Sequence, residues 1–242
     1  MENKEQIKVE LQEFMGSDES VASAAWTSSL TLQGKEKRTK EDVERVIKML
    51  IENEHSSPIE SIVFRFWMKV PIQTDRQIIT HRTASHNSTN GMSGRYRTMP
   101  NEWLDLPDDV QEITKKGIGD LYENDSIAYN FMEKYRIMCA ETNEWYRTFL
   151  ELMKKSEKLN IITNNEYKRA REFYRGVLPQ NNMTERVTVM NLRSFANFYR
   201  LRSNSSAQPE IQKIAFLMLE TIKKANVCPI TIKALEKNNW RI

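Results

Sequence analysis

The spacing of hydrophobic residues between residues 39 and 58 predicts a helix. The apolar side chains recur three and four positions apart, at Val43, Val46, Ile47, Leu50 and Ile51. This is the period of one helix face. Thr39 followed by Asp42 has the form of a capping box, so we expect the helix to begin there. The sequence Ser56-Ser57-Pro58 ends it.

The next stretch, from Ser61 to Val70, changes to a period of two. Its alternate apolar residues are Ile62, Phe64, Phe66, Met68 and Val70. Strict alternation predicts a strand with one buried face. Trp67 lies on the opposite face and indicates that this face is partly covered as well. Pro71 ends the strand.

The second half of the chain predicts more helix than strand. Helical spacing covers residues 125–155, 165–174 and 195–201. The longest of these helices has one apolar side, formed by Phe131, Tyr135, Met138, Trp145, Phe149 and Leu152. Residues 186–190 are rich in β-branched side chains and predict a short strand. The last helix is expected to begin near Ser205 or Ser206, with Pro209 and Glu210 in its first turn. No β-α-β alternation is seen, so the predicted class is α+β, in one domain of residues 1–242.

Composition excludes several classes of function. The net charge is +3, from 36 basic and 33 acidic residues that are interspersed, and this is too small to predict nucleic-acid binding. Three histidines and two distant cysteines, Cys139 and Cys228, predict neither a metal site nor a disulfide framework. The charged N-terminus has no signal-peptide pattern, and no apolar run approaches the roughly 20 residues of a membrane span. We expect a cytoplasmic protein with no membrane partner.

The most informative segment is polar and runs from Asp75 to Arg97. Four arginines lie in it among small hydroxyl and amide residues, at Arg76, Arg82, Arg95 and Arg97. Guanidinium groups bind phosphate through two parallel hydrogen bonds, and backbone N–H groups of Ser and Gly can reach the same oxygens. A nucleotide phosphate site is one interpretation. From residue types alone, a solvated loop with surface arginines is equally well supported.

The order of residues in this segment resembles a known family signature. His81-Arg82 is followed by Ser85 and Asn87, and then by the run Ser93-Gly94-Arg95-Tyr96. This resembles the signature loop of the flavin-dependent thymidylate synthases, which is Arg-His-Arg, seven variable residues and then Ser. Three other blocks match in the same order, at residues 21–29, at residues 55–72, and at residues 175–179 followed by 191–211. The resemblance covers residues 14–230.

Three features depart from the family pattern. Thr80 stands where the first Arg of Arg-His-Arg is usual, and Ser206 stands where His is usual in a Ser-His-Ala-Gln run. Ten residues separate Arg82 from Ser93 instead of seven. These changes remove a cation and an imidazole from the region that the family uses for flavin and folate.

The resemblance implies a reaction and an architecture. The reaction is reductive methylation of dUMP at C5, with carbon from 5,10-methylenetetrahydrofolate and electrons from NADPH or NADH passing through FAD. The fold is an antiparallel β-sheet flanked by helices, without a Rossmann domain. The chain resembles proteins that form homotetramers, in which several subunits contribute residues to each active site. On this view the apolar pair Ile78-Ile79 is exposed and forms part of an interface.

The same comparison implies a set of FAD-binding residues. They are Ser57, Thr80, His81, Arg82, Asn191, Leu192, Arg193 and Asn197. Arg82 and Arg193 suit the pyrophosphate, and the asparagines offer both donors and acceptors. Taken alone, Asn197 is also compatible with polar helix packing, and Ser57 with a simple helix stop.

A second set is implied for dUMP. It comprises Arg76 or Gln77, with Ser93, Gly94, Arg95, Arg175 and Arg202. Arg202 matches the catalytic arginine of the family, because a permanent positive charge beside uracil N3 stabilises an anionic ring and raises electron density at C5. Ser93 is expected to bind phosphate and not to act as a nucleophile. Neither cysteine is expected to be a nucleophile.

Two alternatives remain open at this point. One is a related flavin and folate enzyme that modifies another pyrimidine nucleotide or transfers hydroxymethyl. The other is a non-catalytic relative that binds nucleotides or single-stranded nucleic acid through its arginine-rich loop. The persistence of Arg202, Arg193 and Asn191 favours an enzyme, because phosphate binding alone does not require them.

Overall fold

A computed structural model describes residues 6–27, 39–81, 88–93 and 97–242. Contacts between Cα atoms divide the chain into two compact units. The first comprises Met1–Val70, Thr74–Gly91 and Glu185–Ile242, and the second comprises Pro71–Gln73 and Met92–Thr184. Neither unit is continuous in sequence, and the assignment of residues 1–242 to one domain remains a prediction.

The first unit is built on a four-stranded antiparallel sheet. Its strands are β1 (Lys8–Met15), β2 (Val63–Pro71), β3 (Ser88–Gly91) and β4 (Met183–Asn191), in the order β1-β2-β4-β3. The alternate residues of β2 are buried, and Phe64, Phe66 and Met68 have no exposed surface. The predicted strand and the α+β class are therefore confirmed.

Helices make up most of the remaining structure. They are α1 (Asp18–Thr27), α2 (Lys40–Glu52), α3 (Ile72–Ile79), α4 (Asp108–Thr114), α5 (Asp120–Tyr122), α6 (Asp125–Lys158), α7 (Asn164–Tyr174), α8 (Leu192–Arg202), α9 (Pro209–Ala225) and α10 (Pro229–Lys237). A π-helical turn joins α4 to α5 at Lys115–Gly119, and two 3₁₀ turns lie at Pro58–Ser61 and Arg175–Val177. The helices predicted for residues 125–155, 165–174 and 195–201 correspond to α6, α7 and α8.

The predicted start of α2 is confirmed and that of α9 is wrong. The Asp42 amide donates to Thr39 Oγ1 at 3.3 Å, and the Thr39 amide donates to the Asp42 carboxylate at 3.0 Å, which completes the capping box. Helix α9 begins at Pro209 and not at Ser205 or Ser206. The preceding residues form a turn in which Asn204 Oδ1 accepts from the Ser206 amide at 2.9 Å. Proline fixes the first helical position because it lacks the N–H that would be unsatisfied there.

Strand β1 and helix α10 were not predicted from sequence. Strand β1 is an edge strand whose residues are mostly exposed, so it has no clear apolar alternation. Helix α10 begins at Pro229, and its N-terminus is capped from a distant part of the chain. The carboxylate of Asp18 accepts from the amides of Ile230 and Thr231 at 3.0 and 2.8 Å and from the Thr231 hydroxyl at 2.6 Å.

The second unit is dominated by α6, which contacts α4, α5 and α7. Its buried residues are Ala128, Met132, Cys139, Asn143, Tyr146 and Leu150. The apolar side noted in the sequence is a different one. Its most exposed members are Phe131, Met138, Trp145 and Leu152, at 60%, 55%, 48% and 61% exposed. An apolar stripe thus remains on the surface of the single chain.

Asp18→Ala should destabilise the protein. The substitution removes a buried carboxylate that accepts three hydrogen bonds and caps α10, so the free energy of unfolding should fall by about 1–3 kcal/mol. Urea denaturation followed by circular dichroism measures the loss. The matched control is Glu19→Ala, since Glu19 is an exposed carboxylate in the same turn. Equal losses in the two variants would contradict the assigned role of Asp18.

Candidate functional site

The C-terminal ends of α3 and α8 meet in the first unit. Arg202 Nε, at the end of α8, donates to His81 Nε2 at 2.7 Å. The edge of the His81 ring faces the ring of Phe198, with centroids 5.3 Å apart and an interplanar angle of 84°. The predicted catalytic arginine therefore contacts the histidine of the signature loop, 121 residues away in sequence.

Burial and this contact together determine the protonation state of His81. Burial of the ring, and then the positive charge of Arg202, hold the pKa of His81 below its ordinary value. The imidazole is therefore neutral near pH 7. Because its Nε2 accepts a hydrogen bond, the proton of the neutral ring lies on Nδ1.

Three other predicted residues lie on α3 or directly after it. The side-chain amide of Gln77 donates to Gln208 Oε1 at 2.8 Å, which links α3 to the residue preceding α9. The Thr80 hydroxyl donates to the Gln77 carbonyl at 2.8 Å. Arg76 is exposed on the same helix. Thr80 therefore caps the end of α3 in the place where the family signature has an arginine.

The start of α8 carries the predicted cofactor residues. Asn191 Oδ1 caps this helix by accepting from the Ser194 amide at 2.9 Å. The Leu192 side chain is fully buried, and its amide donates to the Ile62 carbonyl at 2.8 Å. Both residues are thus engaged within the protein, and their predicted contacts with FAD remain predictions.

Two further predicted residues lie on α8. Arg193 Nη1 donates to Glu60 Oε1 at 2.6 Å, and the two side chains are 38% and 30% exposed. Asn197 Oδ1 accepts from Arg200 at 3.2 Å. Ser57 is exposed immediately before the 3₁₀ turn that carries Glu60. Two of the matching sequence blocks, more than 130 residues apart, therefore contact each other beside α8.

The remaining predicted residues lie in the second unit or outside the described residues. The Ser93 carbonyl accepts from the Arg97 amide at 3.1 Å. Arg175 is exposed and begins the 3₁₀ turn after α7. Arg82, Gly94 and Arg95 lie outside the described residues.

Sequence reasoning assigned no role to Glu60, Phe198 or Gln208, which contact the predicted residues. Glu60 and Gln208 lie inside the matching blocks, so their position was a signal that could have been used. Phe198 lies inside a matching block as well, one helical turn before Arg202.

Ile78 corrects another expectation. It is 3% exposed and packs into the core of the single chain, so the prediction that it forms an exposed interface is wrong. Helix α3 turns its Ile78 side inward, and Ile79 is half-buried.

The cysteines are buried and contribute no metal site. Burial, and then the nearby charge of Asp18, raise the pKa of Cys228, so its thiol stays protonated. Cys139 is 3% exposed on the buried side of α6. Within the described residues, no group of three or more His, Cys, Asp or Glu side chains is arranged to hold a metal ion.

None of the helices that the structure describes is long and apolar enough to cross a membrane.

A large cavity lies away from this cluster. It has a volume of about 830 Å³ and is lined by residues of α1, α2 and α10, among them Asp18, Lys48 and Lys233. None of the predicted site residues lines it. Convergent hydrogen bonds, and not cavity size, therefore identify the candidate site.

Known proteins match most of this chain. The model of the thymidylate synthase complementing protein family matches residues 10–230. The chain is 33% identical to the flavin-dependent thymidylate synthase of Kosmotoga olearia over 227 residues, which are 93% of this chain and 88% of that protein. It is also 33% identical to that of Thermotoga neapolitana, over 96% of this chain and 92% of that protein.

A solved structure shows the same fold. It is the UMP/dUMP methylase PolB from Streptomyces cacaoi bound with 5-Br dUMP, with a TM-score of 0.73 and 24% sequence identity. The match covers 97% of this chain and 96% of that one.

Arg202→Ala should raise the pKa of His81. Removing the positive charge removes one of the two causes of the depressed pKa, while burial keeps it below the ordinary value of about 6.5. An NMR titration of the imidazole signals measures this change. Arg200→Ala, on the same helix, is the control and should leave the His81 pKa in place. An unchanged His81 pKa in Arg202→Ala would contradict the contact.

Proposed function

The chain belongs to the thymidylate synthase complementing protein family, the flavin-dependent thymidylate synthases, and we propose that it methylates dUMP at C5 with carbon from 5,10-methylenetetrahydrofolate and electrons from NADPH. The observation that carries the proposal is the 2.7 Å contact between Arg202 and His81. It joins the signature loop to the arginine that the family resemblance assigns to catalysis.

Arg202 is the residue that we assign to activation of the uracil. Its Nε is engaged by His81, so the two Nη groups remain as donors for a ring carbonyl, and for uracil N3 once this nitrogen has lost its proton. A positive charge at this position stabilises the anionic uracil and increases the nucleophilicity of C5. Gln77, which the resemblance places at the uracil edge with Arg76 as the alternative, can pair with the same edge through its amide.

The residues around α8 fit a flavin dinucleotide. Arg193 is partly exposed and donates one N–H to Glu60, so within the described residues other donors of its five remain for a diphosphate. Asn197 lies one turn further along the same exposed side and offers an amide. Ser57, Thr80, His81 and Arg82 complete the proposed set. When bound, FAD supplies the reducing equivalents that convert the transferred carbon to a methyl group.

We assign the dUMP phosphate to Ser93, Gly94, Arg95 and Arg175, as the resemblance implies. Arg171 supports an anion-binding role for this region. It lies one helical turn before Arg175, is 7% exposed and lies beside the Tyr146 hydroxyl, and its Nε and Nη2 make no well-formed hydrogen bond within the described residues. A buried cation is stabilised by an anion nearby.

We further propose that the protein is a homotetramer. The exposed stripe of α6, defined above by Phe131, Met138, Trp145 and Leu152, supports self-association, because contiguous apolar surface of this kind usually marks an interface. The resemblance that predicts shared active sites points in the same direction.

The first test measures tritium released to water from dUMP tritiated at C5, in the presence of FAD, NADPH and methylenetetrahydrofolate. We expect flavin-dependent release, and a decrease of at least about 100-fold in kcat for Arg202→Ala because an electrostatic contact with the developing charge is lost. Arg45→Ala is the control, since Arg45 is exposed on α2 with 78% of its side chain accessible.

The other outcomes distinguish the alternatives. Release from another pyrimidine nucleotide, such as UMP or dCMP, but not from dUMP would assign a different substrate. A product that carries hydroxymethyl would assign the alternative transfer. Neither turnover nor FAD binding would refute the enzyme and favour a nucleotide-binding relative.

A second prediction concerns assembly. Trp145→Glu should dissociate the tetramer, because it places a charge within the exposed stripe of α6. Light scattering coupled to size-exclusion chromatography measures the mass. The control is Lys134→Glu, at another exposed position of the same helix. A tetramer that survives Trp145→Glu unchanged would exclude this stripe as the interface.

A further inference from the structure

A buried ion pair joins α3 to the middle of the sheet. Arg186 on β4 donates from Nη2 to Asp75 Oδ2 at 2.7 Å and from Nε to Asp75 Oδ1. The side chains are 5% and 14% exposed. Two parallel hydrogen bonds fix the relative orientation of the two groups as well as their distance.

Strand β3 lies close beside this pair. Gly91 lies opposite Arg186 in the β3–β4 ladder. A Cβ atom at residue 91 would lie 3.3 Å from Arg186 Nη2 and 3.8 Å from Cζ. The guanidinium therefore fills the space beside Gly91, and β3 approaches it closely because this residue has no side chain.

The pair is surrounded in sequence by residues of the proposed site. Asp75 precedes Arg76 and Gln77 on α3, and His81 follows the end of this helix. Gly91 ends β3 two residues before Ser93. The ion pair thus holds α3, which ends two residues before His81, and lies beside the end of β3, two residues before Ser93.

Stability alone does not account for a charged pair at this position. Buried ion pairs lose much of their Coulombic attraction to desolvation, and well-packed apolar residues of similar volume are often as stabilising. An apolar pair does not supply the fixed orientation that two parallel hydrogen bonds give. Arg186 is also too buried for direct contact with a nucleotide, since its side chain is 5% exposed.

We propose that Asp75 and Arg186 are positioning residues for the nucleotide site, a role that rests on the proposed function. The pair orients α3 so that Gln77 and His81 face the substrate and Arg202, and it fixes the position of Gly91 at the end of β3. It acts through these residues and touches neither substrate nor cofactor.

Two variants separate positioning from stability. Arg186→Lys keeps the positive charge and loses the two parallel hydrogen bonds to Asp75. The double variant Asp75→Leu with Arg186→Met removes both charges and keeps an apolar contact, so it should fold even if each single charge removal does not. In both, we expect kcat/KM for dUMP to fall by about 10-fold or more, with an increase in KM, because small misplacement of binding groups is costly. Thermal unfolding should show the double variant to be folded.

The control is Arg65→Lys on the neighbouring strand β2. Arg65 pairs with Glu13 at 3.2 Å, and the two side chains are 41% and 70% exposed. The same substitution in a half-exposed pair should leave kcat and KM unchanged.

A readout without turnover distinguishes failure of this proposal from failure of the proposed function. In Arg186→Lys the NMR signals of the His81 imidazole should shift, because a reoriented α3 changes its 2.7 Å contact with Arg202. Signals at the wild-type position would overturn the positioning role, whether or not the wild type turns over dUMP. Wild-type kcat and KM in a folded double variant would also overturn it. The positioning role would also be overturned if Arg186→Lys lost activity only because it unfolds while the double variant had full activity.

Discussion

The candidate site depends on two strand-to-helix junctions that contain no loop. Strand β2 ends at Pro71 and α3 begins at Ile72, while β4 ends at Asn191 and α8 begins at Leu192. The Leu192 amide bonds to the Ile62 carbonyl, so α8 starts beside the beginning of β2, whereas α3 starts at its other end. With about 1.5 Å per helical residue and about 3.3 Å per strand residue, α3 and α8 together span nearly the length of β2. Their C-terminal ends therefore meet, and His81 contacts Arg202.

These junctions also explain why predicted cofactor residues have structural tasks. Asn191 ends a central strand and caps the helix that follows, and Leu192 contributes both its side chain and its amide to the core. A substitution at either residue would move the whole of α8, and with it Arg193 and Arg202. Loss of activity in an Asn191 variant would therefore not prove contact with a flavin. Binding measurements on residues with exposed donors, such as Arg193, are more informative.

The sequence predicted those parts of the protein whose burial repeats regularly. Strand β2 and helix α2 have regular apolar periods because one face of each packs on the core. Strand β1 is an exposed edge, so no alternation marked it. Single sequence patterns also cannot give partners that depend on folding. His81 and Arg202 were each predicted from a motif, but their contact follows from helix lengths. The cap of α10 by Asp18, and the side of α3 on which Ile78 lies, depend on tertiary packing in the same way.

Three arginines of the first unit differ in the charge of the group that they contact. Arg186 faces a buried carboxylate, and Arg193 faces a partly exposed one. Arg202 instead donates to a histidine that burial keeps neutral. A carboxylate would offset the positive charge of Arg202, whereas a neutral imidazole holds the side chain in place without doing so. Electrostatic stabilisation of an anionic uracil, the role that we propose for Arg202, requires an oriented cation without a carboxylate partner. Within the described residues, His81 orients Arg202 and no carboxylate is paired with it.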